Sequence, residues 1–378
     1  MNQELTYWVA LTHTPKIWTS RKNEMIVHCF KQEKTIIDFF ESSNFLNMEL
    51  KQEEKTLLNQ TKSELANFSF MVEELLNQGV DVIPIISKDY SPILKTNLKY
   101  NAPLVLYTKG NKKILQEQSI AIVGSRNANE NSLIFTENVA KKASLEYKVV
   151  VSGFAKGVDK QALDSAIKYK GQSIIVLPQG ITTFSSGIKK YYKQIIEGDV
   201  LVLSTFHPKL PWSVDLAMAR NSTIYGLASE IYAAQSDEKG GTWSGVCEGL
   251  KKGRKVFVRV PEKKENCANL QLIKKGATAV NINGDPVEND MCVIKEELPS
   301  SVAEPLADYG IVKQITRILE KGGEYTIKQI MDKLQTNLSS KKIQNILEKI
   351  DGVKIKKGRQ KKYMIDKCEI KQLSLFSE

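Results

Sequence analysis

The chain has 378 residues, of which 42% are hydrophobic and 26% charged, with a net charge of +11. That is an ordinary soluble composition, long enough for two or three domains, and no apolar run approaches the ~20 residues of a membrane span. The five cysteines (Cys29, Cys247, Cys267, Cys292, Cys368) are scattered without a C-x-x-C pair, which argues against a disulfide framework or zinc site and for a reducing, cytoplasmic setting.

Residues 1–78 read as a helical module. Trp8-Val9-Ala10-Leu11, Ile26-Val27 with Phe30, and Ile36-Ile37 with Phe39-Phe40 place apolar groups at helical spacings, and residues 67–78 form a helix stopped by Gly79. The turn Thr12-His13-Thr14-Pro15-Lys16-Ile17-Trp18-Thr19 has no glycine, so a packing role is expected rather than a DNA-binding hairpin. The start of the chain also lacks the basic-then-apolar layout of a signal peptide.

Residues 79–284 alternate strands with helices. Val80 to Ile86 and residues 104–107 read as strands at an edge of a sheet, because Pro84 removes a ladder donor. Ile120-Ala121-Ile122-Val123 runs into Gly124-Ser125-Arg126, and Val149-Val150-Val151 runs into Ser152-Gly153-Phe154-Ala155-Lys156-Gly157, with an amphipathic helix over 132–146 between them. Further helices are predicted over 159–169, 188–197, 216–227 and 240–252, and further strands over 173–177 (ending at Pro178 and Gly180), 200–204, 230–234 and 255–260. This pattern predicts an α/β fold, an extended Rossmann-like doubly wound sheet whose strand ends carry the glycine turns. There glycine lets backbone N–H groups approach a phosphate, although the spacing is neither the dinucleotide fingerprint nor a P-loop, so the ligand class stays open. Only His13, His28 and His207 exist, and nothing in the sequence sets one beside a nucleophile. Nothing in these residues points to a histidine triad, a metal site or a cofactor fingerprint.

Residues 285–306 form an acidic, proline-containing linker (Asp285, Glu288, Asp290, Glu296, Glu297 and Glu304 against Lys295). Residues 307–366 read as helices over 309–320, 326–334 and 339–350 followed by strands over 353–357 and 361–365, the layout of a winged helix. Residues 309–378 hold 16 Lys+Arg against 8 Asp+Glu, so this last part carries +8 of the total, the electrostatic footprint of a nucleic-acid binder. The tail, residues 367–378, ends in Gln372-Leu373-Ser374-Leu375-Phe376. Three large apolar side chains there suggest a short motif that anchors in a partner's pocket.

At Gly124-Ser125-Arg126 and Ser152-Gly153-Phe154-Ala155-Lys156-Gly157-Val158-Asp159 the sequence resembles the DprA/Smf family of bacterial DNA-processing proteins. The likeness continues through Val176-Leu177-Pro178-Gln179-Gly180, Arg220-Asn221-Ser222, Gly226-Leu227-Ala228, Gly240-Gly241-Thr242 and Gly253-Arg254-Lys255-Val256-Phe257. The resemblance implies a dimeric protein without catalytic turnover that binds and protects single-stranded DNA and helps load the recombinase RecA during natural transformation and recombination in competent cells. It makes Arg126 and Arg220 the phosphate ligands. Gly124, Ser125, Ser152, Gly153 and Gly157 then supply backbone donors or close approach, Lys156 and Lys160 lie beside them, and Asn221, Gly241 and Thr242 complete the surface. The tail is similar to the bacterial sliding-clamp-binding motif, which implies the DNA polymerase clamp as a further partner.

The chain departs from the family pattern at Leu163, where the family has histidine, and at Ser222, where it has a second arginine. It departs again at Gly245-Val246 and at Phe184-Ser185-Ser186-Gly187. A divergent relative that binds or hydrolyses a nucleotide, phosphoribohydrolase-like or a defence-related sensor, is the alternative, with Glu248 as its acid. Phe154, Phe184 and Trp243 are candidates for stacking on bases.

Overall fold

A computed structural model of the chain describes residues 2–287 and, further on, 315, 317–319, 322–334, 340–347, 353–356 and 362–365. The chain divides into two compact units, Met1–Asn289 and Asp290–Glu378. The tail motif Gln372 to Phe376 lies outside the described residues.

The first unit opens with five helices, α1 (Asn2–His13), α2 (Thr19–Lys31), α3 (Ile36–Glu41), α4 (Gln52–Ser63) and α5 (Leu65–Asn77). Trp8, Val9, Ala10 and Leu11 of α1 are buried among the other helices, and α1 and α5 also pack on the first strands of the sheet. Asn23 of α2 donates to the carbonyls of Tyr100 (2.7 Å) and Ala102 (2.9 Å). The helices expected to form a separate module thus share one compact unit with the sheet.

That sheet has nine strands: β1 (Asp81–Pro84), β2 (Val105–Lys109), β3 (Ser119–Val123), β4 (Val149–Ser152), β5 (Ser173–Val176), β6 (Val200–Ser204), β7 (Glu230–Ala233), β8 (Lys255–Arg259) and β9 (Thr278–Val280). Their order is β1-β2-β6-β5-β4-β3-β7-β8-β9. From β6 to β9 every pairing is parallel, while β2 joins β6, and β1 joins β2, antiparallel. Pro84 sits in the edge strand, where its missing N–H costs no ladder bond.

The connecting helices are α6 (Pro92–Leu98), α7 (Glu130–Leu145), α8 (Val158–Lys168), α9 (Ser185–Lys190), α10 (Tyr192–Glu197), α11 (Val214–Leu227), α12 (Gly241–Lys251) and α13 (Asn269–Lys274). α7 and α8 bury Phe135, Val139, Ala140, Ala162 and Ala166 against Ile120, Ile122 and Val150. α11 contacts β3, β4 and β5 without joining that cluster, so helices cover both faces. Successive strands step outward from β3 to β6, then return to the other side of β3 with β7. The strand order therefore reverses between β3 and β7, and that is where ligands sit in doubly wound sheets.

Three details differ from the sequence-based expectation. The helix over 188–197 is two helices broken at Tyr191, whose hydroxyl donates to Asp164 of α8 at 2.6 Å. α6 and β9 were not anticipated; α6 is short but carries a legible start, Ser91 capping the N–H of Leu94 with Pro92 in the first turn. The linker begins later than residue 285, because Asp285 accepts from Lys142 at 2.6 Å and Val287 N–H donates to the Ala279 carbonyl at 3.0 Å.

In the second unit α14 (Ile327–Leu334) and α15 (Ser340–Leu347) accompany a sheet of β10 (Tyr325–Thr326), β12 (Lys362–Ile365) and β11 (Val353–Lys356), in the order β10-β12-β11. Ile315, Leu319, Ile330, Ile343, Leu347 and Tyr363 form its core. Lys356 and Lys362 both pair with Glu324, at 2.6 and 3.2 Å.

Candidate nucleic-acid interface

Beyond the carboxyl ends of β3 and β7 lies a crevice of about 380 Å³. Its walls follow from the sequence. β3 stops at Gly124, and Ser125 bridges its neighbours: its N–H donates to the Gln235 carbonyl after β7 at 2.9 Å, and its carbonyl accepts from Val158 N–H at 3.3 Å. The Ser125 hydroxyl accepts from Asn127 N–H at 3.1 Å, which leaves its proton free to donate. Arg126 follows, exposed, and makes no ion pair or hydrogen bond through its guanidinium among the described residues.

The opposite wall is the start of α12. Gly240 has φ +100° and no side chain caps the helix, so its first N–H groups are left for solvent or a ligand. Gly241 is held close to the α11 side chain Asn221; a Cβ on Gly241 would stand 2.5 Å from Asn221 Nδ2. Gly240, Gly241 and Thr242 line the crevice together with Asn221 and the exposed Lys239.

Arg220 enters from beneath. It is 4% exposed, donates from Nη1 to the Val176 carbonyl at 3.0 Å and stands 3.8 Å from Asp159. Its Nε is buried without a partner. Burial pushes the Asp159 carboxyl up, opposed by Arg220 and a main-chain hydrogen bond from Ala155, and burial pulls the Arg220 guanidinium down. Both shifts have one cause, desolvation of a charge pair beneath the crevice.

The structure brings Gly124, Ser125, Arg126, Arg220, Asn221, Gly241 and Thr242 to this crevice, and Lys156 to an adjoining recess. Ser152, Gly153, Gly157 and Lys160 line neither. Ser152 turns inward and donates to the Ile122 carbonyl at 2.7 Å, Gly153 lies under Arg220 and Asp159, and Gly157 packs against the Ser125 and Arg126 carbonyls. Lys160 is exposed on α8 and makes no ion pair among the described residues.

The recess, about 290 Å³, shares Arg126, Ala155, Ala217 and Arg220 with the crevice and adds Phe154, Phe184 and Trp212. Trp243 is not there; Lys275 lies over its ring at 5.7 Å. Trp212, which sequence reasoning missed, follows Pro211 in an irregular segment that carries no periodic signal. Among the described residues no three metal-ligating side chains cluster, and no helix is long and apolar enough to cross a membrane.

Fold and crevice define an α/β protein with a large, mostly parallel doubly wound sheet and a crevice at its switch point lined by glycine turns, a helix start and two arginines. Residues 81–290 match the family described as DNA recombination-mediator protein A, more than half of the chain, and the chain belongs to that family, as the DprA/Smf motifs suggested. DNA processing protein DprA of Bacillus subtilis (strain 168) is 30% identical over 207 residues, 54% of this chain and 69% of that protein. DprA of Streptococcus pneumoniae (strain ATCC BAA-255 / R6) is 33% identical over 159 residues, 42% of this chain and 56% of that protein. The X-ray structure of Streptococcus pneumoniae DprA shares the fold, with a TM-score of 0.52 and 24% identity over 75% of this chain and all of that one.

Proposed function

We propose that the protein binds single-stranded DNA along the glycine-lined edge of its sheet. The observation that carries this reading is Arg126: an exposed guanidinium, unpaired among the described residues, in a crevice at the switch point that an uncapped helix start also lines. A guanidinium presents a planar fork of donors to phosphate, the Ser125 hydroxyl adds another, and the amides of α12 favour an anion. Lys156, Lys160 and Lys239 are exposed and unpaired among the described residues, placed to follow a sugar–phosphate backbone.

Family membership extends the reading. The protein shields single strands and delivers them to the RecA recombinase during natural transformation and recombination, acting as a cytoplasmic homodimer without turning over a substrate. The basic second unit, a winged helix in this reading, gives a further DNA contact, and Gln372 to Phe376 engages the polymerase sliding clamp. The nucleotide-hydrolase alternative loses its acid: Glu248 is exposed, pairs with Lys252 at 2.6 Å and lines neither the crevice nor the recess.

The test is fluorescence anisotropy with labelled single- and double-stranded oligonucleotides of roughly 30 bases, several times a typical single-strand site, at several salt concentrations. The expected result is a preference for the single strand that falls steeply with salt and weakens in Arg126→Ala. Single-strand binding unchanged in that variant would remove the DNA from the crevice.

A further inference from the structure

We infer that His207 is a positioning residue for DNA binding: seated on the N-terminal helices as a neutral ring, it fixes the turn that leads into α11, and its protonation releases that turn. This rests on the single-strand reading and goes beyond it. It gives the N-terminal helices a part in binding, although none of their residues lines the crevice or the recess.

After β6 the chain makes a turn over residues 207–210, closed by the Leu210 N–H on the His207 carbonyl at 2.9 Å. One side of the turn rests on the segment after β5. The Leu210 carbonyl accepts from Gly180 N–H at 2.8 Å, and the Pro208 carbonyl accepts from the Thr182 N–H at 3.2 Å and from its hydroxyl at 2.6 Å. A Cβ on Gly180 would stand 2.1 Å from the Pro208 carbonyl oxygen, so glycine is required for this approach. The other side rests on the helices. The His207 ring meets the His13 ring of α1 at 67°, with centroids 5.0 Å apart, and Lys209 pairs with Glu74 of α5 at 2.8 Å. Pro211, Trp212 and Ser213 follow, and Ser213 caps α11 by accepting from Leu216 N–H at 3.2 Å. α11 then brings Ala217, Arg220 and Asn221 to the crevice. The turn is thus held from both sides just before the helix that supplies the site.

The seat requires uncharged rings. His207 Nδ1 accepts from Lys209 N–H at 3.4 Å, which places its proton on Nε2. His13 lies 2.7 Å from the Tyr107 hydroxyl of β2. The charged groups around the pair are Lys22 of α2, whose Nζ donates to the Thr12 carbonyl at 2.6 Å, Lys209 within the turn, and Glu74, which Lys209 already engages. Two ammonium groups stand against one carboxylate, so a proton on either ring adds a cation to positive surroundings. Burial, with Lys209 nearby, pulls the His207 imidazole below its usual 6.5. His207 is the less enclosed of the two rings and takes the proton first. A lowered histidine favours the seated turn above pH 6.5, and that preference is lost as pH falls below it.

The test follows the affinity of the full-length protein for a labelled oligothymidine strand from pH 7.5 to pH 5 at one salt concentration, in wild type, His207→Ala and His207→Phe. The phenyl ring keeps the packing against His13 and cannot take a proton. Wild type should lose about fivefold in affinity across this range, the lower end of the coupling between two distinct parts of a protein. His207→Ala should bind about fivefold more weakly than wild type at pH 7.5, with little further loss. His207→Phe should match wild type at pH 7.5 and hold that affinity at pH 5. A pH profile in His207→Phe equal to that of wild type, or wild-type affinity in His207→Ala at pH 7.5, would overturn the role of His207 and leave the single-strand reading standing. A wild type that binds no single strand at pH 7.5 would overturn both. A readout without DNA is trypsin cleavage after Lys209 at pH 7.5, which should be faster in His207→Ala than in wild type and His207→Phe; equal rates would overturn the seat. Thermal unfolding of each variant at each pH is the folding control.

Discussion

Gly153 and Arg220 occupy one space: a Cβ built on Gly153 would fall on the Arg220 guanidinium and against the Asp159 carboxylate. The glycine at the end of β4 is therefore required by the buried ion pair beneath the crevice, not by a ligand. Gly153→Ala is expected to push Arg220 off the Val176 carbonyl and destabilise the protein by about 1–3 kcal/mol, the usual cost of overpacking. Chemical denaturation of the variant reads this directly. Stability equal to wild type would show that Arg220 has room to move.

The two arginines of the site separate into different experiments. Arg126 is exposed and unpaired among the described residues, so Arg126→Ala should leave the melting temperature unchanged and reduce the slope of log K against log salt by about 0.7, the value of one phosphate contact on a single strand. Arg220 is buried against Asp159 at 3.8 Å. Arg220→Ala leaves a desolvated carboxylate and the Val176 carbonyl without their partner, and should cost about 3 kcal/mol of stability. Measuring both properties on both variants distinguishes a ligand-facing arginine from a scaffolding one.

Acidification should loosen the seam between the helices and the sheet. His13 Nε2 lies 2.7 Å from the Tyr107 hydroxyl, and its ring is 5.0 Å from that of His207. Burial, with His207 and Lys22 nearby, pushes His13 down from 6.5 to about 3. Burial also raises the Tyr107 hydroxyl, so it donates to a neutral imidazole. The unfolded chain binds the extra proton between those two values. His13 therefore contributes stability above pH 6.5 that is lost as pH falls toward 3. The wild type should lose melting temperature between pH 7 and pH 4.5, and His13→Gln, which keeps a hydrogen-bonding group without titrating, should lose less. Equal losses would exclude His13 as the group responsible.

Much of this architecture was legible because its signals are local. β3 and β4 are β-branched runs that stop at Gly124 and Gly153, and a doubly wound sheet follows from such runs alternating with helices. The glycine edge and Arg126 could be named for the same reason, whereas Arg220 and Asn221 came from the resemblance to the DprA/Smf family. Arg220 could be named but not understood, since its burial depends on Gly153, some 67 positions earlier in the chain. Ser152 and Gly153 read as phosphate-facing by their motif, yet the strand end turns them inward. β9 has three residues and α6 seven, too short for periodicity to reveal. Trp212 belongs to an irregular segment whose position is fixed only by the elements around it, so no spacing pointed to the recess.

The last prediction concerns what holds the Arg126 turn in place. Arg259, 1% exposed, donates to the Ala234 carbonyl at 3.0 Å and to Ser132 Oγ at 2.9 Å, and is ion-paired with Glu265. Glu265 also accepts from Asn129 (2.9 Å) and Asn131 (3.0 Å), and Asn129 caps α7 through Ser132 N–H at 2.8 Å. The chain that leaves Arg126 is thus tied, through Asn129, to a buried charge pair on the far side of β7. The hydrogen bonds from Arg259, with those of Asn131 and Asn129, hold the Glu265 carboxyl down from 4.5 to about 2. A lowered carboxylate contributes stability that is complete above pH 4.5 and is lost as pH falls toward 2. Glu265→Gln should therefore be less stable than wild type at pH 7, with the gap narrowing by pH 3, as measured by denaturant unfolding at both values. The same variant should bind single strands more weakly at pH 7 although Glu265 lines neither chamber, because the start of α7 is no longer fixed. Unchanged affinity with reduced stability would confine the network to folding.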